Sequence, residues 1–298
     1  MPVGITMKIT IIVPCYNAAA TISTQLEALA NQQGTRPWEV IVADNGSTDK
    51  SIEVARSYQN RLPGFRVVDA SQRRGVAHVR NVGVSAATGE AMIFCDADDE
   101  VAPTFLAAME SALAGHDLVA CRFEGAKLNH SWIARGRARF VAQQAGLQRG
   151  HLHPSLAYAG GGGLGVKKRV HESIGGFDES LLRQADSDYC IRAQLAGVEL
   201  HFAADAVYHL RWRNDVWGTF QQARLWSQYG VYLRQRYLLE TQKEPVSSLS
   251  FSLTKHLIWK LIRIRNLEGL AEWIWLTGWS TGLIEGAIRH RPPSQTTG

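Results

Sequence analysis

Hydrophobic positions in the first third of the chain fall into short runs separated by helically spaced segments. Ile9-Thr10-Ile11-Ile12-Val13 is a β-branched run closed by Pro14, which predicts a strand, and residues 18–31 then carry Ile22, Leu26 and Leu29 at helical spacing. Glu39-Val40-Ile41-Val42-Ala43 repeats the pattern and stops at Asp44-Asn45-Gly46-Ser47-Thr48-Asp49, ahead of a helix carrying Ile52, Val54, Ala55 and Tyr58. Phe65-Arg66-Val67-Val68 predicts a third strand, followed through Arg73-Arg74-Gly75 by a helix over 76–87. A fourth, Ala91-Met92-Ile93-Phe94-Cys95, runs straight into Asp96, Asp98 and Asp99. Strands alternating with helices imply a parallel sheet with right-handed crossovers and helices on both faces. Ligands of such sheets bind beyond the carboxyl ends of the strands, so the loops after Val13, Ala43, Val68 and Cys95 are expected to converge on one crevice.

Beyond that point the pattern predicts a helix over 104–113, a strand over 117–123, a helix over 186–196 and short strands over 200–203 and 206–210. Periodicity fails between 124 and 158, a segment rich in Arg, His and Gln. Gly160-Gly161-Gly162-Gly163 fits either a close approach of backbone to a ligand or a hinge. After Trp217 the chain turns helical and aromatic, and residues 253–290 place Trp259, Trp273, Trp275 and Trp279 among Leu and Ile with Lys255, Lys260, Arg263 and Arg265 interleaved. Two readings of this tail stay open: an interfacial helix lying on anionic lipid, or a helical pair packed on the rest of the chain or on a second copy as a homodimer.

Composition narrows the class. The 298 residues suffice for one large α/β domain with an appendage, and 45% hydrophobic with 20% charged residues reads as globular. A net charge of +5 is mild for a nucleic-acid binder, and none is expected as partner, but it suits an anionic substrate or lipid surface. Cys15, Cys95, Cys121 and Cys190 form no CxxC pair and read as small buried hydrophobes of a reducing compartment. Residues 1–6 lack the features of a signal peptide and no run of 18 apolar residues occurs, so a cytoplasmic location without a spanning helix is expected.

The acids after the fourth strand carry the chemistry. Carboxylates one residue apart on a turn beyond a strand can reach a divalent cation and a ribose together, and a polar loop or helix N-cap is the alternative that these residues alone leave open. Pro14-Cys15-Tyr16-Asn17, Asp44-Asn45-Gly46-Ser47-Thr48-Asp49, Arg80-Asn81-Val82-Gly83, Gly89-Glu90 and Asp96-Ala97-Asp98-Asp99, followed by Gly175-Gly176-Phe177-Asp178-Glu179, Asp186-Ser187-Asp188 and Asp205-Ala206-Val207-Tyr208-His209, stand in the order and spacing of family 2 glycosyltransferases. The resemblance covers roughly 7–215 and implies a GT-A fold: an α/β, mostly parallel central sheet flanked by helices. Residues 7–123 form its nucleotide-sugar half and 124–215 its acceptor half, and 216–298 are a helical C-terminal extension.

The resemblance further implies transfer of a sugar, with inversion, from a nucleotide diphosphate donor to a saccharide or lipid-linked acceptor, assisted by Mg²⁺ or Mn²⁺. Asp96, with Ala97 beside it, falls on the ribose contact, Asp98 and His209 on the metal ligands, and Pro14, Tyr16, Asn17, Asp44, Asn45, Arg73 and Arg80 on the nucleotide-sugar contacts. Many relatives carry Asp where this chain has Asn45, whose carbonyl oxygen still accepts from a uracil or thymine imide, which favours UDP- or TDP-sugars. Asp186 falls on the catalytic base, although the usual preceding Glu is Ala185 here. Gln221-Gln222-Ala223-Arg224-Leu225-Trp226 is similar to the QxxRW element of processive members but its spacing is off by one, which implies single-sugar transfer. Two rivals are a sugar-phosphate nucleotidyltransferase, whose Gly-rich basic loop after the first strand is missing, and a non-catalytic nucleotide-sugar binding module, against which Asp98 and Asp186 both speak.

Overall fold

The computed structural model describes residues 7–32, 37–137, 140, 143–150, 152–237, 257 and 259–289. The signal-peptide reading of 1–6 and the start of the tail at 253–256 lie outside these residues. The chain divides into two compact units: Met1–Leu128, Ala142–Gln148 and Ala157–Arg211 in the first, Asn129–Val141, Arg149–Leu156 and Trp212–Gly298 in the second.

The first unit is built on an eight-stranded sheet. Strands β1 (Ile9–Cys15), β2 (Trp38–Asp44), β3 (Arg66–Asp69) and β4 (Ala91–Phe94) pair in parallel in the order β3-β2-β1-β4, connected by α1 (Ile22–Ala30), α2 (Ser51–Arg56) and α3 (Val76–Ala86). Ile11, Ile12, Val13, Val40, Ile41, Val42, Met92, Ile93 and Phe94 are all buried, as expected of strands covered on both faces. Gly83 of α3 sits against Ile12, where a Cβ would overlap the isoleucine side chain, so this glycine sets how closely the helix lies on the sheet.

Past β4 the sheet becomes mixed, a departure from the parallel expectation. The two-residue β5 (Glu100–Val101) is followed by α4 (Phe105–Gly115), β6 (Leu118–Glu124), β7 (Leu164–Lys167), α6 (Lys168–Ser173), α7 (Ala185–Leu195) and β8 (Leu200–His209), with α5 (Ser131–Arg137) belonging to the second unit. The sheet continues β4-β7-β6-β8-β5, in which β7 runs antiparallel to both neighbours and β5 antiparallel to β8. A short apolar run such as Leu164-Gly165-Val166 carries no signal of direction. The two strands expected over 200–210 are a single strand whose pairing with β6 is irregular between Cys121 and Arg122, so the hydrophobic pattern breaks while the strand continues.

In the second unit α8 (Val216–Tyr237) and α9 (Leu267–Arg289) pack on each other. Gly278 faces the Phe220 carbonyl, Gly282 that of Arg224 and Gly286 that of Gln228, which makes the two helices parallel and closely apposed. Glycines four apart lie on one helix face and let backbones approach, as in GxxxG pairs. Ser227 Oγ donates to the Trp279 carbonyl at 2.7 Å and Arg224 pairs with Glu285 at 2.8 Å across the same seam. No helix among the described residues is long and apolar enough to cross a membrane. A Cβ at Gly282 would overlap the Arg224 carbonyl, so Gly282→Ala is expected to destabilise the helical unit by about 1–3 kcal/mol, read as an earlier urea transition.

Candidate functional site

Strand β4 delivers the acid loop, and each acid meets a different environment. Asp96 accepts from Arg80 Nη2 at 2.9 Å, and its own N–H donates to the Tyr208 hydroxyl at 2.7 Å. Asp98 is exposed. Asp99 is buried and accepts the Arg211 N–H at 2.6 Å; burial, then the charges of Asp98 and Asp96, push its carboxyl well above the usual range. It supports the turn. Pairing of Glu100 with His209 continues into a hydrogen bond from Arg211 Nε to the Asp98 carbonyl at 2.8 Å, which stitches the acid loop to the end of β8. His209 has its Nδ1 on Glu124 Oε2 at 2.7 Å. Burial alone would raise Glu124, but the bonds from His209 and the Ala126 and Lys127 N–H groups hold it below its ordinary value, and the carboxylate fixes the imidazole ring through Nδ1.

The loops after β1 and β2 interlock beside it. Asn17 sits at φ +48, in the region that favours glycine, donates its N–H to Ser47 Oγ and accepts the Thr48 N–H at 2.8 Å. Asp44 accepts from the Ser47 N–H and hydroxyl, an Asx-type turn. Asn45 is only 6% exposed: its amide donates to the Ala70 and Arg73 carbonyls, and its oxygen accepts the Gly75 N–H at 3.1 Å. The oxygen expected to read a pyrimidine imide is thus engaged in tying the second loop to the third. Arg73 is exposed and lies 3.4 Å from Glu179, whereas the neighbouring Arg74 stacks over the half-exposed ring of Tyr16 at 4.3 Å and donates to the Asn45 carbonyl. Pro14 is the one partly exposed residue of β1, between buried Val13 and Cys15.

Asp186 lies in the first turn of α7, where the helix dipole favours a carboxylate. The helix is entered through Gln184 at φ +62, and Asp186 accepts from the N–H of Ser187 at 2.9 Å and of Gly161 at 2.8 Å. Burial raises its carboxyl above the ordinary aspartate value, opposed by the positive charge of Arg80 and by these two N–H bonds, with Asp96 adding a smaller upward push. Arg80 is 4% exposed, lies beside the edge-to-face pair of Phe94 and Phe177 at 5.8 and 5.4 Å from their ring centroids, pairs with Asp96, and is near enough to Asp186 for its charge to act on that carboxyl.

The glycine run now has a cause at each position. A Cβ would meet the Phe123 ring at Gly160, the Arg80 guanidinium at Gly161, the Tyr208 ring at Gly162 and the Cys121 sulfur at Gly163. Its close approach is to the side chains beneath the site, and the hinge reading has no support in this packing. Asp188 is buried on Arg192, which also holds the Ile174 and Gly176 carbonyls, and Asn81 clamps Phe177 and Glu179 to α3; both hold the frame. Tyr208, Glu124 and Gly161 take their parts in the site only from the tertiary contacts. Tyr208 and Glu124 carried no separable signal, being polar residues inside strands, whereas the glycine run was visible without its purpose.

The family model described as Glycosyl transferase family 2 matches residues 10–175, more than half of the chain. The chain belongs to glycosyl transferase family 2. Among curated relatives, the amylovoran biosynthesis glycosyltransferase AmsB of Erwinia amylovora is 30% identical over 222 residues, which are 68% of this chain and 70% of that one. The uncharacterized glycosyltransferase YibD of Escherichia coli is 35% identical over 130 residues, 44% of this chain, and the match spans only 36% of YibD. The mannosyltransferase PcManGT from Pyrobaculum calidifontis, solved in complex with GDP-Man and Mn²⁺, superimposes with a TM-score of 0.66 at 20% identity, over 96% of this chain and 87% of that one. The family 2 fold is therefore the GT-A arrangement, an α/β fold whose mixed sheet keeps four of its seven strand pairings parallel.

Proposed function

We propose that this family 2 chain is a glycosyltransferase that moves one sugar from a nucleotide diphosphate donor to a saccharide or lipid-linked hydroxyl, with inversion, in polysaccharide or glycolipid assembly. The observation that carries the reading is the buried Arg80, which pairs with Asp96 at the end of β4 while its guanidinium lies against Gly161, whose N–H donates to Asp186 at the start of α7. A donor-side acid and a desolvated candidate base thereby share one edge of the sheet. Tyr16, Asn17, Asp44 and Arg74 flank the nucleoside position, Arg74 in place of the Arg73 expected from sequence, and Asn45 shapes that loop. Asp96 contacts the ribose, held in orientation by Arg80.

In the reaction the acceptor oxygen attacks the anomeric carbon opposite the diphosphate. The bond from that carbon to the phosphate oxygen breaks with its electron pair leaving on the diphosphate, and the hydroxyl proton passes to the Asp186 carboxylate. Asp98, an exposed carboxylate, and His209, an imidazole oriented by Glu124, are the residues that would hold a divalent cation such as Mg²⁺ or Mn²⁺. When bound, such an ion offsets the charge of the departing diphosphate. Among the described residues no group of three or more His, Cys, Asp or Glu side chains is placed to hold an ion, so most of its shell must come from diphosphate oxygens and water.

That donor set sets the test. In a thermal-shift screen of UDP, TDP and GDP with Mn²⁺, one nucleotide class is expected to stabilise the protein, by about 2.7 kcal/mol at a hundredfold excess over its Kd, and a chelator is expected to abolish the gain. Mn²⁺ without nucleotide is expected to shift little. No response to any nucleotide would overturn the donor assignment, and a response indifferent to chelator would overturn the metal assignment.

A further inference from the structure

The helical tail has two faces with different fates. Ile274 and Trp275 of α9 are buried, Trp275 against Trp226 and Trp279, and the glycine seam is spent on α8. The packing reading therefore accounts for the middle of α9. It does not account for the segment leading into that helix. There Trp259 and Leu261 at the end of a short helix, Ile262 on the turn that follows and Leu267 at the start of α9 are all exposed, Ile262 at 71%. Water gains nothing from such a turn: each apolar side chain left in solvent forgoes burial worth roughly 1.5–3 kcal/mol.

Charge says what covers it. Between Leu257 and Leu267 the sequence carries Lys260, Arg263 and Arg265 and no acid. Arg263 and Arg265 are exposed, and Arg263 lies flat over the Trp259 ring at 3.8 Å. Lys260 pairs with Glu272 at 2.8 Å, and Glu268, the first acid of α9, is held by Arg135, so the nearby carboxylates are already partnered. Trp with Arg at the level of exposed Leu and Ile is the make-up of a segment seated at the headgroup boundary, where rings and guanidinium stems lie along acyl chains and the charges meet lipid phosphates.

We infer that residues 259–267 form an anionic-membrane docking tip: Trp259, Leu261, Ile262 and Leu267 enter the interface while Arg263 and Arg265 bind lipid phosphates. This stands apart from the glycosyltransferase reading, because it concerns binding in the absence of any donor. A tip of this kind lets the enzyme dwell on a bilayer without a spanning helix, by apolar insertion and electrostatic attraction together.

The experiment is co-sedimentation of the full chain with vesicles of phosphatidylcholine, alone or with about one-third phosphatidylglycerol. Binding is expected to the anionic vesicles and to fall with salt, the bound-to-free ratio dropping roughly tenfold without the anionic lipid. Ile262→Asp, and separately Arg263→Glu with Arg265→Glu, are expected to lower the ratio on anionic vesicles by about tenfold or more at an unchanged melting temperature. Ile284→Asp, on an exposed position in the body of α9, is expected to leave it unchanged. Equal binding by wild type and tip variants, equal binding to neutral and anionic vesicles, or an unbound wild type that forms a dimer lost in Ile262→Asp would each overturn the inference. The last outcome would assign the tip to a second copy of the chain.

Discussion

Asp186→Asn is expected to lower turnover by roughly 10²- to 10⁴-fold while nucleotide affinity stays within about twofold, because only the acceptor proton needs that carboxylate. The substitution is nearly isosteric. The amide oxygen still accepts one N–H from Gly161 or Ser187, so the entry to α7 and the packing of Gly161 on Arg80 persist. Stopped transfer together with intact binding of the nucleoside diphosphate, measured by calorimetry on the same preparation, separates a base from a mere helix cap. Unchanged turnover would remove Asp186 from the mechanism. The pH profile supplies an independent check. Burial lifts this carboxyl above the ordinary aspartate value, and the group must be ionised to take the proton. Activity is therefore expected at pH values above the raised pKa and to fall as pH drops through it, the acid limb of kcat lying higher than an exposed aspartate would give.

Asp98→Ala is expected to cost roughly 10- to 100-fold in nucleoside diphosphate affinity in the presence of Mn²⁺ and almost nothing in its absence. Asp98 is the exposed member of the acid loop, whereas Asp99 is buried on the Arg211 backbone and Asp96 is tied to Arg80 and Tyr208. Removing Asp98 therefore leaves the supports of the turn in place. Calorimetry with and without chelator reads the difference, and equal losses under both conditions would make Asp98 a direct nucleotide contact.

The first half of the fold was legible because each of its buried strands is a continuous apolar run and each helix shows its spacing. The loops of the site were legible as motifs, since turns that end buried strands in Asp and Asn advertise themselves in one dimension. The role of a single residue within a loop was less so. Asn45 and Asp44 are adjacent and both polar, yet Asn45 lies under the loop with its amide spent on backbone, and Asp44 caps the turn above it. Arg73 and Arg74 look interchangeable in sequence. Backbone direction alone sends one to Glu179 and the other onto Tyr16.

The sequence by itself determined the strand–helix alternation, the acid cluster at the end of β4, the candidate base at a helix start and the family to which these belong, because local periodicity and motif spacing encode them. Only the tertiary structure decided the antiparallel insertion of β7, the burial of Arg80 on Asp96 and against Gly161, the side-chain contacts that require Gly160 to Gly163, and the division of the Trp-rich tail into a packed seam and an exposed tip. Each of these depends on which residues from distant parts of the chain meet, and pairing across long separations leaves no period in the sequence to read.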